Sequence, residues 1–413
     1  MRWRRPVQLF LALWLPGLIA LTVGLVRAWH TGQVDPWDWA IAAGLMLIPA
    51  GAALARWGWL AILWVMLGVA GTVLVFCWIA AARAPDPLAA AGLGLIALMA
   101  AVAGKLLRAR GWKMKGAGLA LLGGTALILW RGPAQPILSQ PHRPALAVIS
   151  ALPLFWAEGG LRERRDAPIV TVLRTRFELQ PLDDPGALVA SGAQLALVAQ
   201  PRALTPQALV ALDRWVRGGG RLVLLDDPQL RWPSRYGFGD RRRAPSSGAL
   251  GLLLAHWNVE ARPVVEAEIR HFLPDGRLVT LSGMAPMRDR ARLTDGGMAL
   301  PLRLRIGRGE AIFLGDADLI DDRLWLADPI RPLEPRAWSA DTPALLVEWL
   351  GGELPGGRRW MRDVGDVRLG LRSALLVGMG WAILGFMLLS RKSGRKVGGT
   401  KSENKLAEGL LNG

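Results

Sequence analysis

Residues Leu204–Pro228 read LTPQALVALDRWVRGGGRLVLLDDP. Thr205 can cap a helix through its side-chain oxygen, and Pro206 suits the first helical turn, where its missing N–H goes unused. Leu209, Leu212, Trp215 and Val216 recur at helical spacing and form one apolar stripe. Gly218, Gly219 and Gly220 end that helix. Leu222–Leu225 is continuously apolar, as expected for a strand buried on both faces of a parallel sheet. Ala145–Ile149, Leu195–Ala199 and Ala311–Leu314 share the pattern, and Ile169–Val172 is read as a fifth strand. Strand, helix and strand in this order make one crossover, which predicts an α/β fold.

Working outward, a second helix is expected over Ser247–Trp257, with Leu250, Leu253, Leu254 and Trp257 turned inward. A third starts at Asp341, with Pro343 early, and closes at Gly351 and Gly352. Pro274-Asp275-Gly276 and Gly307-Arg308-Gly309 are turn signals between alternating runs, so antiparallel hairpins should add to the parallel sheet.

The rest of the chain belongs to a different solvent. Of 413 residues 52% are apolar, and 14 charged side chains fall in residues 1–130, 61 in 131–372 and 8 in 373–413. This composition excludes disorder, a collagen-like repeat and a disulfide scaffold. The single cysteine, Cys77, excludes an intrachain disulfide and a Cys-based zinc site. Uncharged stretches of 21, 17, 26 and 18 residues lie between Arg5 and Arg27, Asp38 and Arg56, Arg56 and Arg83, and Asp86 and Lys105. Another 18 lie between Arg372 and Arg391. A helix of about 17 to 25 apolar residues crosses a bilayer, so these five qualify. Gly116–Trp130 is short, and spans only if Lys115 and Arg131 snorkel to opposite interfaces.

Lys and Arg set the orientation. Arg2, Arg4 and Arg5 precede the first stretch, Lys105 to Lys115 crowd one loop, and Arg391 to Lys405 load the tail. Six crossings with both termini in the cytoplasm put every dense cluster on one side. The division expected is a five-helix transmembrane region over 1–131, an extracytoplasmic α/β domain over 132–370, a C-terminal transmembrane helix over 371–390 and a basic cytoplasmic tail over 391–413. Gly44, Gly51, Gly92 and Gly94 are read as helix-packing contacts. In the α/β region 33 arginines face 28 acids, an excess of only 5, so the net charge of +17 does not point to nucleic acid.

The run Leu204–Pro228, then GRGEAIFLGDADLIDD at 307–322 and DTPALLVEWLGG at 341–352, resembles the gliding-motility-type auxiliary components of ABC transport systems and related bacterial membrane proteins of unknown function. The resemblance covers about residues 145–390. It implies a flavodoxin- or amidotransferase-like ectodomain held outside the inner membrane, with separate permease and ATPase subunits as partners. In the amidotransferase fold a nucleophilic cysteine follows a strand like Leu222–Leu225; here the turn reads Asp226-Asp227-Pro228. A carboxylate cannot serve as the thiolate of acyl transfer, so that activity is not expected.

Asp226, Asp227, Asp316, Asp318, Asp321 and Asp322 follow the C-terminal ends of predicted strands, the edge at which open α/β sheets bind ligands. The plain expectation is that they cap helices and turns, with no metal or cofactor; the sharper one is a divalent-metal hydrolase. His142, His256 and His271 lack ligand spacing, Ser246 and Ser247 lack a nucleophile elbow, and no Walker motif occurs. Arg241, Arg242 and Arg243 lie in a loop leaving the same edge, which could grip an anionic glycan, a headgroup or an acidic partner. The expected function is a non-enzymatic subunit of an ABC-type transport or envelope complex. An envelope scaffold working with a MoxR-type ATPase is the alternative, beside the hydrolase.

Overall fold

A computed structural model of the chain describes residues 4–132, 135–156, 158, 165–265, 267–290, 300–354 and 358–409. For 4, 5 and 391–409 it describes the backbone alone, so the side chains of Arg2, Arg4, Arg5 and the basic tail lie outside the described residues. The chain forms two compact units, Met1–Gln135 with Arg358–Gly413, and Pro136–Gly357.

In the first unit the apolar stretches become helices α1 (Arg4–Thr31), α2 (Ala40–Leu54), α3 (Trp59–Ala80) and α4 (Pro87–Leu107). α5 (Trp112–Trp130) follows, and the C-terminal helix Val364–Gly409 completes the bundle. Among the described residues five helices are long and apolar enough to cross a membrane: Pro6–Thr31, Pro36–Trp57, Trp59–Ala80, Pro87–Leu107 and Val364–Ser390. α5 is not one of them, because Lys113 and Lys115 fill its first turn and Gly116, Gly118, Gly123 and Gly124 dilute its hydropathy.

Close backbone approach holds the bundle together. A Cβ on Gly51 would lie 2.0 Å from the Ala101 carbonyl oxygen, and one on Gly104 equally close to that of Ile48, so α2 and α4 touch backbone to backbone. Gly92 accommodates the Trp37 indole and Gly44 meets Ile96. Gly94, also expected to pack, faces open space, being two residues from Gly92 and on the other side of the helix. On the C-terminal helix Gly370, Ala374, Gly378, Ala382 and Gly385 form a small-residue seam, and Gly370, Gly378 and Gly385 meet Phe76, Thr72 and Trp64 of α3.

One end of this bundle is built from the segments after α1 and α3 and before the C-terminal helix. Val34 N–H donates to Arg359 O at 2.8 Å, Met361 N–H to Gly32 O at 2.8 Å and Arg362 N–H to Ala80 O at 2.9 Å. At the opposite end Arg56 donates to Gln8 at 3.0 Å, and the Lys105 ammonium sits 3.9 Å from the Trp59 ring centre. α5 starts near the second end, with Gly118 against Ala103 and Leu107. It passes Met99 at Gly124, and the chain reaches Trp37, at the first end, by Gly132. Despite its composition, α5 runs the length of α4.

The second unit is α/β. In chain order it contains β1 (Ala145–Ser150), α6 (Pro168–Leu173), β2 (Glu178–Pro181), α7 (Leu188–Ser191), β3 (Leu195–Ala199), α8 (Pro206–Arg217) and β4 (Arg221–Leu225). Then come α9 (Gly251–His256), β5 (Val259–Ala261), β6 (Glu268–Phe272), β7 (Leu278–Ser282), β8 (Met287–Asp289), β9 (Leu302–Ile306) and β10 (Gly309–Leu314), and last α10 (Asp322–Trp325) and α11 (Thr342–Trp349). The main sheet has the order β2-β1-β3-β4-β10-β9, parallel throughout except for β9. β6 pairs with β7 across the 274–276 turn and β9 with β10 across the 307–309 turn, both antiparallel, and β5 pairs antiparallel with β8.

α8 forms as its sequence dictates. The Thr205 hydroxyl accepts from Ala208 N–H at 3.2 Å, and Leu212, Trp215 and Val216 are buried. With Leu253, Leu254 and Trp257 they cover one face of the sheet, where Ala196, Val198, Leu222, Leu224 and Phe313 point. Leu146, Leu197, Val223 and Ile312, on the alternate positions, are buried too. Both faces are therefore covered, as continuous apolar strands require. Two expectations need correction. Ile169–Val172 is helical, inside α6, because Pro168 starts a turn there and a short buried apolar run has no periodicity to choose between helix and strand. The strand beside β1 at that edge of the sheet is β2, and the second helix is shorter than Ser247–Trp257 although its four inward residues are all buried.

Candidate functional site at the carboxyl edge of the sheet

β4 and β10 are paired in register, Leu225 opposite Leu314. The residues that leave both strands therefore meet: Asp226-Asp227 from one, Gly315-Asp316-Ala317-Asp318 from the other. All four aspartates are at most 5% exposed. Gln200, at the end of β3, braces them; its side chain accepts from Asp227 N–H at 2.8 Å and donates to the carbonyls of Asp227 and Pro245.

The carboxylates act first as acceptors for loop backbone. Asp226 takes Ala249 N–H at 3.1 Å, and the Gly248 backbone lies so close that a Cβ there would be 2.6 Å from its oxygen. Asp227 Oδ1 accepts from Gln229 N–H at 2.7 Å and Oδ2 from Ala317 N–H at 3.2 Å. Asp316 Oδ2 accepts from Ser282 N–H at 2.7 Å and Oδ1 from Leu319 N–H at 3.0 Å. Asp318 Oδ2 accepts from Arg231 N–H at 2.7 Å. Its Oδ1 is buried with no hydrogen-bond partner. Each carboxylate thus ties the sheet edge to a different loop.

Asp227, Asp316 and Asp318 each present an oxygen, and these oxygens lie within 4.8 Å of one another. Among the described residues they are the group that could hold a metal; Asp226 turns the other way, toward Gly248 and Ala249. Burial, reinforced by mutual repulsion, pushes the Asp227 carboxyl up to about 6 and Asp318 to about 7, and lifts Asp316 well above the carboxylate range. Asp226 rises by burial alone, against two loop N–H groups that oppose the shift. Asp321, by contrast, is paired with Arg323 at 2.7 Å, and Asp322 is raised by burial and by its contact with Asp321.

The basic loop folds upon itself. Arg242 binds Asp240 at 2.8 Å and its guanidinium lies 4.1 Å from the Tyr236 ring centre. The hydrogen bond from Arg242 holds the Asp240 carboxyl down at about 2. Arg243 donates to Tyr236 O at 2.9 Å and stands over Phe238, while Arg241 is exposed.

An open cleft of about 520 Å³ lies beside this edge, between the loops after β1, β4 and β10. Trp156, Glu158, Asp166, Trp232, Arg235 and Asp322 are among its lining residues. Glu158 fixes the loop after β4, accepting from the Ser234 hydroxyl and from Arg235 N–H at 2.8 Å. Of these, the sequence singles out Asp322 alone; the tryptophans carry no spacing signal that could mark them.

A family model described as "ABC-type uncharacterized transport system" (ABC_transp_aux) matches residues 143–274, less than half of the chain. The match covers β1 to β6 and supports the resemblance to auxiliary components of ABC transport systems. No curated protein matches the chain. Similar solved structures include an exo-beta-1,4-mannosidase from Opitutaceae bacterium strain TAV5, at 12% identity and TM-score 0.30, covering 58% of this chain and 40% of its own. A GH42 beta-galactosidase from G. stearothermophilus is similar at 13% identity and TM-score 0.28, covering 70% of this chain and 46% of its own. This chain spans less than half the length of either glycosidase, and scores this low carry no argument about function.

Proposed function

We propose that the chain is a non-enzymatic auxiliary subunit of a bacterial inner-membrane ABC-type transport or envelope complex. The observation that carries this reading is the family match over 143–274 in a chain that also contributes five helices able to cross a membrane. The α/β unit is then a binding module related to amidotransferases but without their chemistry. The cysteine position is taken by Asp226-Asp227, and the carboxylates of Asp226, Asp227, Asp316 and Asp318 hold loop backbone. The cleft lined by Trp156 and Trp232, with the Arg241–Arg243 loop, is the surface offered to ligand or partner.

The path of α5 supports a sixth crossing. Its two ends lie at opposite ends of the bundle, and Lys115 and Arg131 can snorkel outward from it. Both termini then sit in the cytoplasm with every lysine of the chain, and the α/β unit is periplasmic. A reporter fused after residue 240 should be active only in the extracytoplasmic space; cytoplasmic activity rejects the sixth crossing. Purification of the tagged chain from its native membrane in mild detergent should bring down a permease and an ATPase of the ABC type. A MoxR-type ATPase in their place points to the envelope scaffold, and a chain recovered alone counts against the subunit reading.

A further inference from the structure

We propose that Asp227, Asp316 and Asp318 form a binding site for one hard divalent cation, Ca²⁺ or Mg²⁺, that locks the carboxyl edge of the sheet. The donor set contains only carboxylate oxygens, which select hard cations over the softer metals that prefer nitrogen or sulfur. The oxygens lie within 4.8 Å of one another, and two ligands on opposite sides of a cation are separated by about twice the 2.0–2.6 Å bond length.

Two features separate this cluster from an ordinary group of capping acids. The first is the bare Oδ1 of Asp318, on a residue with no solvent exposure. A buried carboxylate oxygen without a donor is costly, and an exposed one would simply take water. The second is how the other carboxylates are held. Backbone N–H groups of Gln229, Ala317, Ser282, Leu319 and Arg231 occupy one direction at each bonded oxygen and fix its orientation. Asp227 takes a third backbone N–H, from Asp318, while the bonded oxygens of Asp316 and Asp318 keep a second lone pair; ligating carboxylates are commonly oriented by hydrogen bonds in this way. Three buried carboxylates also need compensation. Arg323 is already paired with Asp321, and its pull on Asp318 is outweighed by burial and by repulsion from Asp227 and Asp321.

The site is structural. It gathers the turns after β4 and β10 and, through Ser282, the end of β7, and it stands whether or not a transport partner is found. The competing way to satisfy the same oxygens is a shared proton, with Asp318 donating to a neighbouring carboxylate, and the test separates the two.

The experiment uses the full chain in detergent, stripped with chelator and titrated with Ca²⁺ and Mg²⁺ by calorimetry at about pH 8, with thermal unfolding followed in parallel. The expected result is one equivalent bound, a midpoint raised by the ion, and binding at least about tenfold weaker in the near-isosteric Asp318→Asn variant. Absence of heat and of any midpoint shift in the wild-type chain up to about 10 mM of either ion overturns the proposal, whatever the variant does. So does binding that Asp318→Asn leaves unchanged in a folded chain. If Asp318→Asn fails to fold, the wild-type titration and its stoichiometry alone decide.

Discussion

Trp64 and Trp381 hold each other by their backbones. The Trp64 indole N–H donates to Trp381 O at 3.0 Å and the Trp381 indole N–H to Trp64 O at 2.9 Å, while the rings stack with centres 4.3 Å apart. An indole in hydrocarbon needs a partner for its N–H, and here each supplies the other's. The C-terminal helix is therefore a member of the bundle rather than a lone anchor, seated through Gly378 and Gly385 against α3.

Trp64→Ala and Trp381→Ala should each lower the thermal midpoint of the detergent-solubilised chain. In a double-mutant cycle the pair should show a coupling of about 0.5–1.5 kcal/mol, typical of aromatic pairs beyond their buried area. Additive single effects would show that the reciprocal contact contributes nothing as a unit.

Gly51→Val places a branched side chain where the Ala101 carbonyl oxygen already stands 2.0 Å from a bare Cβ. Backbone cannot yield as a side-chain tip can, so α2 and α4 must separate. The variant should extract poorly and unfold at lower temperature than Gly94→Val, whose position faces open space. Equal behaviour of the two variants would refute close packing of α2 on α4.

The aspartate edge gives a pH dependence of definite sign. Asp227 and Asp318 have folded-state values of about 6 and about 7, above those of the unfolded chain. The folded state binds more protons between about pH 4 and pH 7, so these groups stabilise fully below that window and lose their contribution as pH rises through it. In chelator, the midpoint of the α/β unit should be higher at about pH 5.5 than at about pH 8, and Asp318→Asn should flatten the difference. Calorimetric scans across that range measure it directly, and bound cation should reverse the trend.

Asp316→Ala leaves the N–H groups of Ser282 and Leu319 without their acceptor. At about 1–3 kcal/mol for each buried donor left unpaired, the loss should be about 2–6 kcal/mol. Urea titration should show a lower midpoint with an unchanged slope.

Arg241→Ala with Arg242→Ala should leave the thermal midpoint where it is, since both side chains are exposed. If the loop contacts an acidic partner, recovery of that partner in detergent pull-downs should fall. Undiminished recovery would remove the loop from the contact.

Much of this architecture is legible in the residues. The apolar stretches that became α1 to α4 and the C-terminal helix are long enough to need no context, and Thr205, Pro206 and the triple glycine punctuate α8 unambiguously. β3, β4 and β10 follow from continuous burial. Short segments did not declare themselves. Ile169–Val172 is rich in β-branched residues yet helical, and β2, with Glu178 and Gln180 on an edge, carries no apolar signal. The site was legible as a set of acids after strands, but which carboxylates converge was not. That depends on the register of β4 against β10, which sets Asp227 beside Ala317, and on Gly248 drawing Asp226 away.

The hydrogen bonds at that edge join residues far apart in the chain: Asp227 to Ala317, Asp318 to Arg231, Asp316 to Ser282. The first two cannot close before β4 and β10 have found each other, and such distant pairings are slow to form. The carboxyl edge is therefore expected to assemble late. Disruption there should quicken unfolding and leave the folding rate almost untouched, so the aspartates govern how long the native state persists more than how readily it is reached.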